Sequence, residues 1–165
     1  MRERARDKGR LEDIVEYSTN VTNLIEGYSL EALIADKRTY YSVMKNVEVV
    51  GEAAYMLTKA FKRLHPEIPW KVVQGMRHVL VHDYANVVSA TLYDTAVNDM
   101  QPLRQQVKRY LAETDWEEWM SLPDEFDDAN MENIVEVARS MKADGMAVEL
   151  IEKYTGLTSQ EIETL

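Results

Sequence analysis

The sequence contains no cysteine. That excludes a disulfide framework, a thiolate zinc site and a cysteine nucleophile. Three histidines are too few for a histidine metal cluster, so neither metal nor cofactor is expected. No apolar run approaches the ~20 residues needed to cross a bilayer, so no membrane role is expected. The N-terminus, MRERARDKGR, is charged and lacks the apolar core of a secretory signal, which makes the cytoplasm the default location. No segment alternates as a strand between turn signals, and there is no internal repeat. With only six glycines and four prolines in 165 residues, few points interrupt helical patterning.

A net charge of −10 suggests repulsion from nucleic acid until it is divided. Residues 1–116 hold 16 basic and 16 acidic side chains, whereas residues 117–165 hold 3 basic and 13 acidic ones. The body is neutral and the tail carries the whole excess. An acidic segment of this kind is usually a solvated surface.

What is present is helical periodicity. Leu11, Ile14, Val15, Ser18, Val21, Thr22 and Ile25 form one stripe, predicting a first helix from about Arg4 to Gly27, with Gly27 as its C-cap. Ser29 starts a short turn carrying Leu30, Leu33 and Ile34. A second long helix is predicted from Asp36, a good N-cap residue, to about Leu64. Tyr40, Val43, Met44, Val47, Val50, Ala54, Leu57 and Phe61 keep its period. Gly51 inside it costs roughly 1 kcal/mol relative to alanine, a cost usually tolerated where another helix must come close. HPEIPW then breaks the chain. A short third helix spans about Trp70 to Val81, and a fourth about Ser89 to Leu111. The expected fold is all-α: an antiparallel four-helix bundle over residues 1–116, with a short additional helix. Residues 117–130, acidic and broken by Pro123, read as a linker. Residues 131–165 read as a small helical tail, with Asn130 capping a helix that ends at Gly145, a helix from Ala147 to Tyr154, and a capping box at Thr158 and Glu161.

One segment looks built for chemistry: RHVLVHDY, Arg77 to Tyr84. On a helical wheel Val72, Val73, Met76, Val79 and Leu80 make the buried face, His78 and His82 lie nearly opposite, and Arg77 sits on the flank. Arg77 and His82 are about 140° apart on an ideal helix. They meet on one ligand only if the Arg side chain wraps or the helix ends at the histidine, and Asp83, Tyr84 and Asn86 favour an end there. A histidine both takes and gives a proton near neutral pH. An arginine offers a fixed cation with a planar fork that suits phosphate. Together they can act on a phosphodiester without a metal. From spacing alone, exposed residues of this kind are most often mere surface. Among the carboxylates, Asp36, Glu48 and Glu52 lack the spacing of a metal cage, and Glu52 has no evident apolar flank.

Residues 11–111 resemble the HepT branch of the HEPN superfamily, the toxin half of bacterial HEPN–MNT toxin–antitoxin pairs. Four stretches carry the likeness: SLEALIADKRTYYSV resembles the family's "eeFladrrt" helix start, VVGEAAYML its "iiGEAa", IPWKVVQGMRHVLVHDY its "iPW..i.GmRN.lvH.Y", and the last helix with Pro102 and Leu103 its closing "lp.L". The resemblance implies a four-helix bundle that pairs as a homodimer, with Arg and His of both chains in one cleft. It implies a metal-independent endoribonuclease: the 2′-OH of the RNA attacks the adjacent phosphorus, Arg77 holds phosphate charge, and His82 is the general acid or base. It also implies a nucleotidyltransferase antitoxin of the MNT type, which in some family members silences the toxin by adding AMP to the motif's tyrosine, here Tyr84. A phosphate there would repel RNA and pair with Arg77. Asp83 would support the site. His78 stands where the family commonly has asparagine or another polar residue, and is read as a second proton carrier or a hydrogen-bonding partner in the cleft. The alternative to an RNase is a non-catalytic HEPN protein that binds RNA, nucleotide or the nucleotidyltransferase.

The resemblance does not reach the tail. VARSMKADGMAVELIEKYTGLTSQEIETL is loosely like a helix-turn-helix, but Glu161 and Glu163 stand where a recognition helix needs basic and amide donors. DNA binding is therefore not expected of it. Packing on the bundle or on a partner is the expected role.

Overall fold

In the computed structural model, the structure describes residues 4–82, 88–123 and 133–165, and for 78–82 the backbone alone. The described residues form helices joined by short connections, with no strand. They form two compact units, one of residues up to 57 plus 66–114, the other of 58–65 plus 115 onward.

The first unit is the bundle. A single 3-10 turn, Arg4–Arg6, leads into α1, Asp7–Leu24, which buries Leu11, Ile14, Ser18 and Val21. Gly27 takes φ +77° after it, a left-handed turn that glycine adopts without a Cβ clash. The Ser29 hydroxyl accepts the Ala32 N–H (3.2 Å) and opens α2, Leu30–Ala35. Asp36 caps α3, Lys37–Met56, by accepting the Arg38 and Thr39 N–H groups. Its other oxygen accepts the Thr39 hydroxyl (2.6 Å) and the Tyr28 hydroxyl (2.8 Å), so the α2–α3 corner is tied by one carboxylate. α5 spans Trp70–His82. α6, Ser89–Asp94, runs through a π turn at Thr95–Asp99 into α7, Met100–Glu113. Pro102 accounts for that turn. It has no N–H for the Asn98 carbonyl four residues back, and its ring crowds that carbonyl, so the helix widens just upstream.

α1 packs on α3 and α7, and α3 packs on α5. Val43, Val47, Val50, Met100 and Val107 fill the space between, and the Arg104 guanidinium ties α7 to α1 through the Thr22 hydroxyl (2.8 Å) and the Ser18 carbonyl (3.3 Å). No helix among the described residues is long and apolar enough to cross a membrane.

Two element boundaries read from the sequence need correction. The second long helix does not reach Leu64. It stops at Met56, because Leu57 is extended (φ −54°, ψ 145°) and the Thr58 hydroxyl accepts the Phe61 N–H (3.2 Å) to start α4, Lys59–Leu64. Leu57 and Phe61 are both fully buried, so the apolar period runs unbroken across a real helix end. The start of the expected acidic linker is also helical. Asp115 accepts the Glu117 and Glu118 N–H groups and caps α8, Trp116–Ser121, where Trp119 is 1 % exposed. Residues 124–130, the rest of that expected linker, and with them the Asn130 cap, lie outside the described residues.

The second unit therefore joins α4 to α8 and to three tail helices, α9 Ile134–Ala143, α10 Val148–Thr155 and α11 Ser159–Glu163. Phe61 stacks on Trp116 (6.4 Å between centroids) and meets Trp119 edge-on (5.7 Å). Trp119 in turn packs against Tyr154. Glu118 accepts from the Lys153 ammonium (2.7 Å) and from the Tyr154 hydroxyl. Gly145 and Gly156 take positive φ after α9 and α10, and Thr158 with Glu161 forms the expected capping box on α11.

Candidate functional site

α5 is placed by its first turn. Ile68 and Trp70 are buried on either side of Pro69, whose carbonyl accepts the Val72 (2.8 Å) and Val73 (3.2 Å) N–H groups. Proline at a helix start suits the fixed φ and loses no helical hydrogen bond. From there α5 leans on α3 through Val73. The wheel placed Val72 on the buried face, but it is 67 % exposed. Among the described side chains of α5, Trp70 and Val73 are the buried ones. On its other side an open groove of about 360 Å³ separates it from α7, lined by Val72, Val73 and Met76 against Asp99, Leu103 and Gln106.

Arg77 is held from α3. Gly51 makes this possible: a Cβ built there would lie 3.0 Å from the Arg77 Cβ, 3.0 Å from its backbone N and 3.2 Å from the Val73 carbonyl oxygen. Only a residue without a Cβ lets the two backbones come this near. One residue on, Glu52 forms an ion pair through Oε2 with Arg77 Nε. One turn on, the Tyr55 ring centre is 4.8 Å from the Arg77 Cζ, a cation–π contact. Glu52 Oε2 is itself buried, while the side chains remain partly open, 31 % for Arg77 and 44 % for Glu52. The guanidinium is thus fixed at one edge and one face and still reachable by solvent.

The backbone of α5 carries His78 and His82 on the same helix as Arg77, while their side chains, with Asp83 and Tyr84, lie outside the described residues. The residues brought together with Arg77 are Gly51, Glu52 and Tyr55. Sequence reasoning anticipated a close approach at Gly51 but set Glu52 aside, having asked only whether it could hold a metal or titrate. The signal that could have found it is the GEAAY spacing, which puts a carboxylate and an aromatic three apart and beside the glycine contact. Among the described residues no three His, Asp or Glu side chains are grouped so as to hold a metal ion.

Comparison with known proteins gives a consistent result. The family profile described as "Ribonuclease HepT-like" matches residues 11–110. "Probable ribonuclease HepT" of Thermococcus cleftensis is 34 % identical over 102 residues, covering 62 % of this chain and 93 % of its own. "Putative RNase MJ1216" of Methanocaldococcus jannaschii is 30 % identical over 115 residues, covering 70 % and 95 %. "Putative RNase TTE0752" of Caldanaerobacter subterraneus subsp. tengcongensis is 31 % identical over 101 residues, covering 61 % and 90 %. No solved structure matches the chain. The family match contains Gly51, Glu52, Tyr55 and the whole RHVLVHDY segment, and it stops before the second unit's C-terminal helices.

Proposed function

This chain belongs to the ribonuclease HepT-like family, and on that premise we propose that it is a ribonuclease, a metal-independent endoribonuclease whose working pair is Arg77 and His82. The observation that carries the reading is the Arg77 guanidinium, held by α3 yet open to solvent, on the helix that continues to His82. A planar cation so held suits a phosphodiester.

In the proposed reaction the RNA 2′-OH attacks the adjacent phosphorus. His82 takes or gives the proton that must move, the 5′-oxygen leaves, and a 2′,3′-cyclic phosphate remains. Arg77 offsets the negative charge that builds on the phosphoryl oxygens. A homodimer gives each cleft an Arg77 and a His82 from two chains, which answers their angular separation on one helix. His78 and Asp83 support the site. The chain acts in the cytoplasm as the toxin of a pair, and an MNT-type nucleotidyltransferase antitoxin neutralises it by transferring AMP to Tyr84.

The test is cleavage of RNA by the purified chain in EDTA, with the product ends identified by mass. Wild type should leave cyclic phosphate, and Arg77→Ala and His82→Ala should each lose cleavage. Cleavage that survives both substitutions would sink the assignment and leave the chain a binding module. Intact-mass analysis after co-expression with a nucleotidyltransferase of the MNT type tests the AMP step, which Tyr84→Phe should abolish.

A further inference from the structure

We infer that Glu52 is a positioning residue for Arg77: its carboxylate fixes the Nε edge of the guanidinium so that the two Nη groups face outward as a fork for phosphate. The inference deepens the ribonuclease reading and rests on it. Arginine has five N–H donors in one plane. The Nε edge lies against Glu52 Oε2 as an ion pair, and the face of the plane lies on Tyr55. The four on the Nη groups have no partner among the described residues. Two of those four are what a bidentate phosphate contact uses. The Nε edge is thus occupied, the flat face is occupied, and among the described residues nothing occupies the outer edge.

Stability does not account for the pair. With both side chains this exposed, an ion pair contributes little. Its consequence is geometric. A free arginine samples many rotamers, whereas this one is held at its backbone by the Gly51 contact, at its edge by Glu52 and at its face by Tyr55. A pre-oriented fork gives up less freedom when phosphate arrives, and misplacement by about 1 Å costs on the order of a hundredfold in rate.

Glu52 also has a cost. Its negative charge sits beside the place where phosphate must bind, and so weakens RNA binding while it improves alignment. The two effects separate by substitution. Glu52→Gln keeps the shape and a polar oxygen beside the Nε edge and removes the charge. Glu52→Ala removes both.

The experiment uses the full-length chain, a fluorophore-labelled single-stranded RNA oligonucleotide of mixed sequence, and EDTA. Glu52→Gln should keep kcat within about threefold of wild type and lower KM, with the slope of binding against salt steepened. Glu52→Ala should lower kcat by about 10- to 100-fold without raising KM, and its melting temperature should match wild type. Equal loss in Glu52→Gln and Glu52→Ala would overturn the inference, because it would make Glu52 a proton carrier. Full kcat in Glu52→Ala, with Arg77→Ala inactive, would overturn it too. If Arg77→Ala cleaves as well as wild type, the ribonuclease assignment of Arg77 fails instead. A second readout needs no activity: the Arg77 Nε–H resonance should exchange with water slowly in wild type and Glu52→Gln, and as fast as that of the exposed Arg38 in Glu52→Ala. Fast exchange in wild type would show that the fork is not held.

Discussion

Replacing Gly51 by alanine should destabilise this protein, against the usual direction of such a change in a helix. Inside a helix, Gly→Ala gains about 1 kcal/mol from propensity and a less flexible unfolded chain. At Gly51 the added methyl would meet the Arg77 Cβ and backbone N at 3.0 Å and the Val73 carbonyl oxygen at 3.2 Å. Carbon atoms in ordinary contact sit about 3.5–4.0 Å apart, so α5 would have to retreat by about half an ångström. All three obstacles are backbone or Cβ atoms, which a rotamer change cannot move. Overpacking of this kind costs about 1–3 kcal/mol, and set against the propensity gain it leaves a net loss of about 1 kcal/mol. Gly75 is the internal control. It lies in α5, is exposed, and a Cβ there meets nothing within 4 Å, so Gly75→Ala should gain the full propensity term. In a chain of this length 1 kcal/mol moves the melting temperature by about 2–4 °C. Gly51→Ala should therefore melt below wild type and Gly75→Ala above it, with matching shifts of the urea midpoint. Gly51→Ala melting at or above wild type would refute the close approach of α3 and α5, and with it the account of how Arg77 is placed.

Further outcomes follow from the same structure. The Asp36 carboxyl is held below its ordinary value, first by the Thr39 hydroxyl, then by the Tyr28 hydroxyl and the cap N–H groups. A lowered folded-state value means that its stabilisation is present above the ordinary carboxylate range and is lost as pH falls through the folded-state value. Wild type should thus melt above Asp36→Asn at neutral pH and the two should converge in acid; a gap that does not change with pH would contradict this. Trp119, fully buried among Phe61 and Tyr154, should cost about 3–5 kcal/mol when cut to alanine. Hydrogen exchange should then rise throughout α4 and the C-terminal helices. A rise confined to α8 would show that α4 does not belong to that unit.

The all-helical class was legible because it is a local property. Period-3.6 patterning, the Ser29, Asp36 and Thr158 caps and the left-handed glycines are set by a residue and its near neighbours, and the helices follow them. The end of α3 was not legible, since Leu57 and Phe61 keep the apolar period while Thr58 breaks the backbone ladder. Nor was the fate of the acidic stretch after residue 115. Its charge describes what faces water, whereas Trp119 is buried and both Trp116 and Trp119 pack on Phe61, more than fifty residues earlier in the chain. A wheel likewise gives the angle between Val72 and Val73 but not which of them a neighbour covers, and α3 covers Val73 alone. The same limit applies at Arg77. The sequence by itself determined that a cation and a histidine share one helix, because that depends on spacing. Only the tertiary structure decided how that cation is held, because Gly51, Glu52 and Tyr55 lie on another helix and reach it through a contact that exists only once the two backbones have packed.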